Sequence, residues 1–261
     1  MLCRLFEKHA KPIDACLGVE GLPHSATGQA TMFTGVNCPK TVGKHCEGFP
    51  TPVIRKIIGD GNIFTELKKR GKKVKFADAY LIDSPEELEL RRFKSVTTVM
   101  ALTAPETIST ADDLAADAAL MQDLTRETIQ DRYPDIPVIP PQRAAEHLFR
   151  IARENDFTLF EFFQTDVAGH SMDYTRACAV LRTYDRFLAA LVRFADEKHI
   201  ILWHLRECWN GRQARLRCVW LRRVGSSPIS RTKKEDTVWC PLFWCIGDSK
   251  GRKENMPVAC F

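Results

Sequence analysis

Phe157-Thr158-Leu159-Phe160-Glu161-Phe162-Phe163-Gln164-Thr165-Asp166-Val167-Ala168-Gly169-His170 sets a short aromatic, apolar run directly ahead of a carboxylate and an imidazole four residues apart. A run of this kind suits a buried strand, and the carboxyl end of a buried strand is where α/β folds gather ligand groups. The strand is expected over residues 157–165, ending at Asp166. Downstream, Ala177, Val180, Leu181, Tyr184, Leu188, Leu191, Val192 and Ala195 recur at three- and four-residue steps, the apolar stripe of an amphipathic helix. His199 to Leu202 begins the next strand.

Upstream the same alternation continues. Pro52 to Ile58 and Asn62 to Arg70 read as helices, a turn follows at Gly71, and Lys73 to Tyr80 reads as a strand. Ala144 to Glu154 is amphipathic. Helices alternating with strands give an α/β fold with a mainly parallel sheet flanked by helices. Residues 81–141 are rich in helix formers, with Thr110 as N-cap of an expected helix Asp112 to Ile129 and prolines from Pro134 to Pro141 ending it. A helical, cap-like insertion is expected there. Residues 1–80 and 142–202 then form the two parts of one core.

Hydrophobic residues at 44% and charged residues at 27% of 261 are ordinary for a globular protein. No apolar run reaches the roughly 18 residues that span a bilayer, and the first residues lack a continuous apolar signal core. A cytoplasmic protein with no membrane partner is expected. The ten cysteines include no CxxC pair and are expected to be free thiols.

Charge is uneven along the chain. Residues 203–261 carry 12 Lys or Arg against 5 Asp or Glu, a balance of +7 that leaves −2 for residues 1–202. All five tryptophans and five of the ten cysteines also fall there, without a sustained period of 2 or 3.6. Trp, Cys and Arg are what GC-rich coding DNA yields when read out of frame. Residues 203–261 are therefore expected to be a frameshifted or irregular tail. The competing account is a basic strip of Arg212, Arg215, Arg217, Arg222 and Arg223 for an anion, although no nucleic acid partner is expected.

Two segments carry chemistry. Gly21-Leu22-Pro23-His24-Ser25-Ala26-Thr27-Gly28-Gln29 puts a hydroxyl in a small-residue loop ahead of a helix expected over residues 30–35. A helix N-terminus offers N–H donors to a phosphate, so Ser25 is either a nucleophile aimed at one or an ordinary N-cap. Asp166 and His170 offer a hard oxygen and a nitrogen, a pair suited to zinc or manganese, or else a helix-capping carboxylate and a surface histidine.

The run Ser25 to Gln29, Thr34-Gly35-Val36-Asn37, Gly43 to Pro52, and Thr165 to Tyr174 resemble, in that order, segments of the alkaline-phosphatase-like metalloenzyme superfamily. The branch they resemble is that of cofactor-independent phosphoglycerate mutases and phosphopentomutases. The resemblance spans residues 13–201 and implies a phosphomutase or phosphatase acting on a small phosphorylated substrate with two divalent ions, manganese or zinc. Ser25 matches the hydroxyl that takes up the phosphoryl group and ligates one ion. Asp166 and His170 match ligands of the other, and Thr27 and Gln29 are the expected lining of the oxyanion pocket.

Several family ligands have no counterpart here. The family opens on a strand ending in Asp-Gly, and it carries Asp-His-Gly after the strand that follows the long helix, then a further histidine. Here that strand continues as Trp203-His204-Leu205-Arg206, and His204 is the last histidine in the sequence. With three of about six or seven ligands present, catalysis is expected to be impaired. The alternative is a non-catalytic remnant with one weak metal site.

Overall fold

The computed structural model describes residue 4 and residues 10–195, 199–209, 213–221 and 238–248, with side chains over residues 14–195 and 199–202. The first part of the chain runs β1 (Ala10–Asp14), α1 (Ser25–Thr34), α2 (Cys38–Val42), α3 (Pro52–Asp60), α4 (Ile63–Lys69) and β2 (Val74–Phe76). Short helices α5 (Glu86–Leu90), α6 (Val96–Leu102) and α7 (Ala111–Ala115) follow. The rest comprises α8 (Pro141–Glu154), β3 (Phe157–Phe160), α9 (Gln164–Ser171), α10 (Tyr174–Phe194), β4 (His199–Trp209), β5 (Gln213–Leu221) and β6 (Val238–Asp248). The molecule is thus a mixture of helix and strand.

β2 and β3 pair in parallel, with Val74 opposite Phe157 and Phe76 opposite Leu159. The sheet order is β1-β5-β4-β6-β3-β2, and the pairings of β1, β4, β5 and β6 are antiparallel. Residues 203–209, 213–221 and 238–248 thereby differ from the irregular tail that composition suggests. Gln213-Ala214-Arg215-Leu216-Arg217-Cys218 does alternate polar with apolar residues, a short period-2 signal that its tryptophan and cysteine content conceals. The Arg212, Arg222 and Arg223 portion of the basic strip lies outside the described residues.

Two apolar clusters clamp the parallel pair. One joins α8, α10 and β3 through Leu148, Ile151, Phe160, Tyr184, Phe187, Leu188 and Leu191, all buried. The other joins α1, α3, α4, α6 and β2 through Ala30, Phe33, Ile54, Ile58, Phe64, Met100 and Phe76. The four described cysteines outside the strands, Cys16, Cys38, Cys46 and Cys178, are free thiols.

The long helix expected over residues 112–129 is replaced by a short one. Thr110 does cap α7, in a capping box with Asp113, but α7 ends at Ala115. Asp117, Leu124 and Arg126 take left-handed φ of 60°, 67° and 67°, which an α-helix does not admit. Asp123 supplies the reason: its carboxylate accepts from the N–H groups of Thr125, Arg126 and Thr128 and from the Thr128 hydroxyl, closing a turn instead of continuing a helix.

Asn62 knots the second cluster together. Its side-chain oxygen accepts from the N–H groups of Phe64 and Thr65 at the start of α4, while its amide donates to Ile58 O at 3.0 Å and Thr103 Oγ1 at 2.9 Å. Because Asn62 is buried, Asn62→Ala leaves several groups without partners. It is expected to lower unfolding free energy by about 2 kcal/mol in urea denaturation, with an unchanged slope.

Candidate functional site

Ser25 is the first residue of α1, and the N-cap position belongs to His24, whose side chain makes no capping bond. The Ser25 hydroxyl instead reaches out of the helix and accepts from the N–H of Gly48 at 3.2 Å. This contact is the distinctive feature of the segment, since an N–H aimed at a hydroxyl oxygen stabilises negative charge developing there. Thr27 secures the same loop: its Oγ1 accepts from Cys46 N at 3.2 Å and donates to His24 O at 3.3 Å. Thr27 and Gln29 are both buried along α1. His45 is held by Val19 O, and Arg91 and Arg92 are exposed.

β3 ends at Phe160, earlier than its apolar run, and α9 starts at Gln164, so Asp166 and His170 share a helix. Thr165 and Ala168 face inward, and Phe162 stacks on Tyr184 of α10 with ring centroids 4.5 Å apart. This seats α9 with the other side outward. One helical turn apart, Asp166 Oδ2 and His170 Nε2 lie 3.6 Å from each other, with side chains 41% and 75% exposed. The spacing and exposure leave both free to reach one ion in common. Gln164 also donates to Gln122 at 2.9 Å, tying the start of α9 to the loop after α7.

The structure thus brings Asp166 and His170 together on α9 and places Ser25 against Gly48 at the start of α1. Among the described residues, no group of three or more His, Cys, Asp or Glu is arranged to hold a metal ion.

Two carboxyls missed in the sequence sit at the carboxyl ends of β2 and β3. Asp78 and Glu161 are buried; the Glu161 N–H donates to Asp78 Oδ2 at 2.8 Å, and Thr97 Oγ1 donates to Glu161 Oε2 at 2.8 Å. Asp78 Oδ1 and Glu161 Oε1 have no hydrogen-bond partner. Burial pushes the Glu161 carboxyl up to about 8, against the pull of the Thr97 hydroxyl. Burial, then the charge of Glu161, raises Asp78 well above the ordinary carboxylate range. The sequence did carry a signal: Glu161 is a lone carboxylate inside Leu159-Phe160-Glu161-Phe162-Phe163, where burial is the rule.

Comparison with protein-family models, with curated proteins and with solved structures finds no match to this chain. No described helix is long and apolar enough to cross a membrane.

Proposed function

We propose that the chain is a metal-dependent phosphoryl-transfer protein of the alkaline-phosphatase-like superfamily, in the branch resembling phosphoglycerate mutases and phosphopentomutases. Ser25 takes up the phosphoryl group of a small phosphorylated metabolite, and Asp166 and His170 hold one divalent ion. On this reading the parallel β2–β3 pair belongs to the core of the phosphoryl-transfer fold, and residues 81–141 are its cap-like insertion. The observation carrying the reading is the Ser25 hydroxyl, turned away from its own helix and meeting the Gly48 N–H at 3.2 Å. A serine serving as a helix cap bonds instead to its own second or third N–H.

The donor set on α9 fits a metal. A carboxylate and an imidazole one turn apart are a chelating pair for manganese or zinc. A bound divalent ion supplies charge neutralisation at a phosphoryl group and lowers the pKa of a coordinated hydroxyl. The Gly48 N–H holds the Ser25 oxygen in place and favours its ionised form, while His170 and Asp166 keep their metal-binding atoms toward solvent. On this reading α9 supplies two of the three or more ligands that an ion needs, and activity is expected to be impaired. The ligand count favours a second reading, a non-catalytic form that keeps the α9 ion alone.

Manganese or zinc titration combined with mass spectrometry separates the two. Metal binding is expected to weaken at least about tenfold in Asp166→Ala and in His170→Ala. Incubation with a phosphate monoester and metal is expected to add one phosphate to Ser25 and none to Ser25→Ala. Metal binding without phosphoserine supports the non-catalytic form. No metal binding at all refutes both.

A further inference from the structure

Resting on Ser25 as phosphoryl acceptor, we propose that Phe49, Phe93 and Arg92 form a platform for the rest of the substrate, which is a planar ring: the substrate class is nucleoside monophosphates.

Phe49 and Phe93 are 50% and 59% exposed, and their rings touch each other in an offset stack with centroids 5.2 Å apart and planes 30° off parallel. Two phenylalanines half in water yet stacked together are a preassembled aromatic face, where single exposed apolar residues carry no such meaning. Arg92 lies over Phe93, its guanidinium 5.1 Å from the ring centroid, and Arg91 beside it is also exposed. The cation–π contact holds the ring and sets positive charge at the edge of the face, where it complements an anionic ligand.

The platform adjoins the nucleophile through the backbone. Gly48, whose N–H meets Ser25, immediately precedes Phe49, and a methyl group built on Gly48 meets nothing within 4 Å. Gly48 thus sets no side chain between Ser25 and Phe49. Gly48 and Phe49 are consecutive, so the N–H that meets Ser25 and the stacked ring come from neighbouring residues. A base joined to phosphate through a ribose offers a phosphoryl group to Ser25 and a π-face to the stack. A sugar phosphate without a base would leave both phenylalanines in water.

Ligand-observed saturation-transfer NMR on the full chain, with adenosine 5′-monophosphate, adenosine and ribose 5-phosphate as probes, tests this. The nucleotide is expected to bind at least about tenfold more tightly than ribose 5-phosphate. Phe49→Ala and Phe93→Ala are expected to weaken the nucleotide and adenosine about ten- to hundredfold and leave ribose 5-phosphate unchanged. Both substitutions are at exposed positions, and an unaltered thermal transition verifies the fold. Equal binding of nucleotide and ribose 5-phosphate, or insensitivity to Phe93→Ala, overturns the proposal. So does self-association of the chain that Phe93→Ala abolishes, for then a second copy occupies the face. Adenosine does not depend on Ser25 chemistry. Binding of adenosine that survives Ser25→Ala supports the platform even where no phosphoserine forms, and phosphoserine formed without any Phe93 dependence refutes the platform alone.

Discussion

Glu161→Gln is expected to make the protein more stable at pH 9 while changing it little at pH 4 to 5. Glu161 is about 1% exposed, and burial lifts its carboxyl from 4.5 in the unfolded chain to about 8. Between those values the folded state binds a proton that the unfolded state has released, so stability falls as pH rises through the window. Below the unfolded value both states are protonated and nothing is lost. Above about pH 8 the full loss is present, of order 5 kcal/mol for a shift of this size at 1.36 kcal/mol per unit. Near pH 7 it is about 3 kcal/mol. Glutamine is neutral throughout, keeps an oxygen for the Thr97 hydroxyl, and presents an amide where Glu161 Oε1 has no partner.

The groups facing the Glu161 carboxyl do not relieve it. Asp78 at the end of β2 adds like charge, so the two carboxyls titrate as a coupled pair and the substitution also eases ionisation of Asp78. The Tyr80 phenol, raised chiefly by burial, brings no positive charge, and Arg91 acts on Tyr80 from an exposed position. Urea unfolding of parent and variant at pH 5, 7 and 9 is the check. A difference between the two that does not change with pH would show that Glu161 carries no proton in the fold.

How much was legible follows from which residues carry local information. The stripe of α10 was readable because every third or fourth residue from Ala177 to Ala195 is apolar, and Asn62 and Thr110 announce helix starts by side chains that cap within three residues. Asp166 and His170 stand out in the sequence as a carboxylate and an imidazole just after an apolar run, and the helix that carries both is a feature of the structure alone. The composition of the loop from Asp117 to Arg126 suits a helix. The decision there rests on Asp123, whose carboxylate gathers four donors only once the turn has formed. The Phe49–Phe93 stack joins residues 44 positions apart, and no local pattern links them. Asp78 and Glu161 are likewise 83 apart and meet because β2 and β3 run in parallel.

Replacing Arg126 is expected to have the other large effect. Arg126 is 1% exposed, adopts φ of 67°, and its guanidinium donates to Asp117 Oδ1 at 2.7 Å. Burial opposes the charge on Asp117. The Arg126 hydrogen bond, with the charges of His147, Arg126 and Arg150, outweighs that and holds the carboxyl below its ordinary value. His147, with its Nε2 3.5 Å from Asp117 Oδ2, is pushed down chiefly by burial and further by Arg126, Arg143 and Arg150, against the pull of Asp117. It is therefore neutral at pH 7, and Arg126 is the cation that answers Asp117 from the interior. Arg126→Ala empties a large buried volume and removes that cation, with an expected loss of about 3 kcal/mol or more. Arg126→Met refills the volume without the charge and separates the two contributions.

The pH dependence of the Arg126 variants tests the electrostatic part. In the parent, a histidine depressed by burial costs stability as pH falls below its unfolded value of 6.5. Without Arg126, His147 loses a repelling neighbour and faces Asp117 as its nearest countercharge. Its pKa is then expected to rise, so the stability deficit of Arg126→Met should shrink between pH 7 and pH 5.5. Melting temperatures of parent and variant across that range decide the matter. A deficit that stays constant would mean that Arg126 acts on this cluster through packing alone, and that the left-handed turn from Asp117 to Arg126 owes its closure to Asp123.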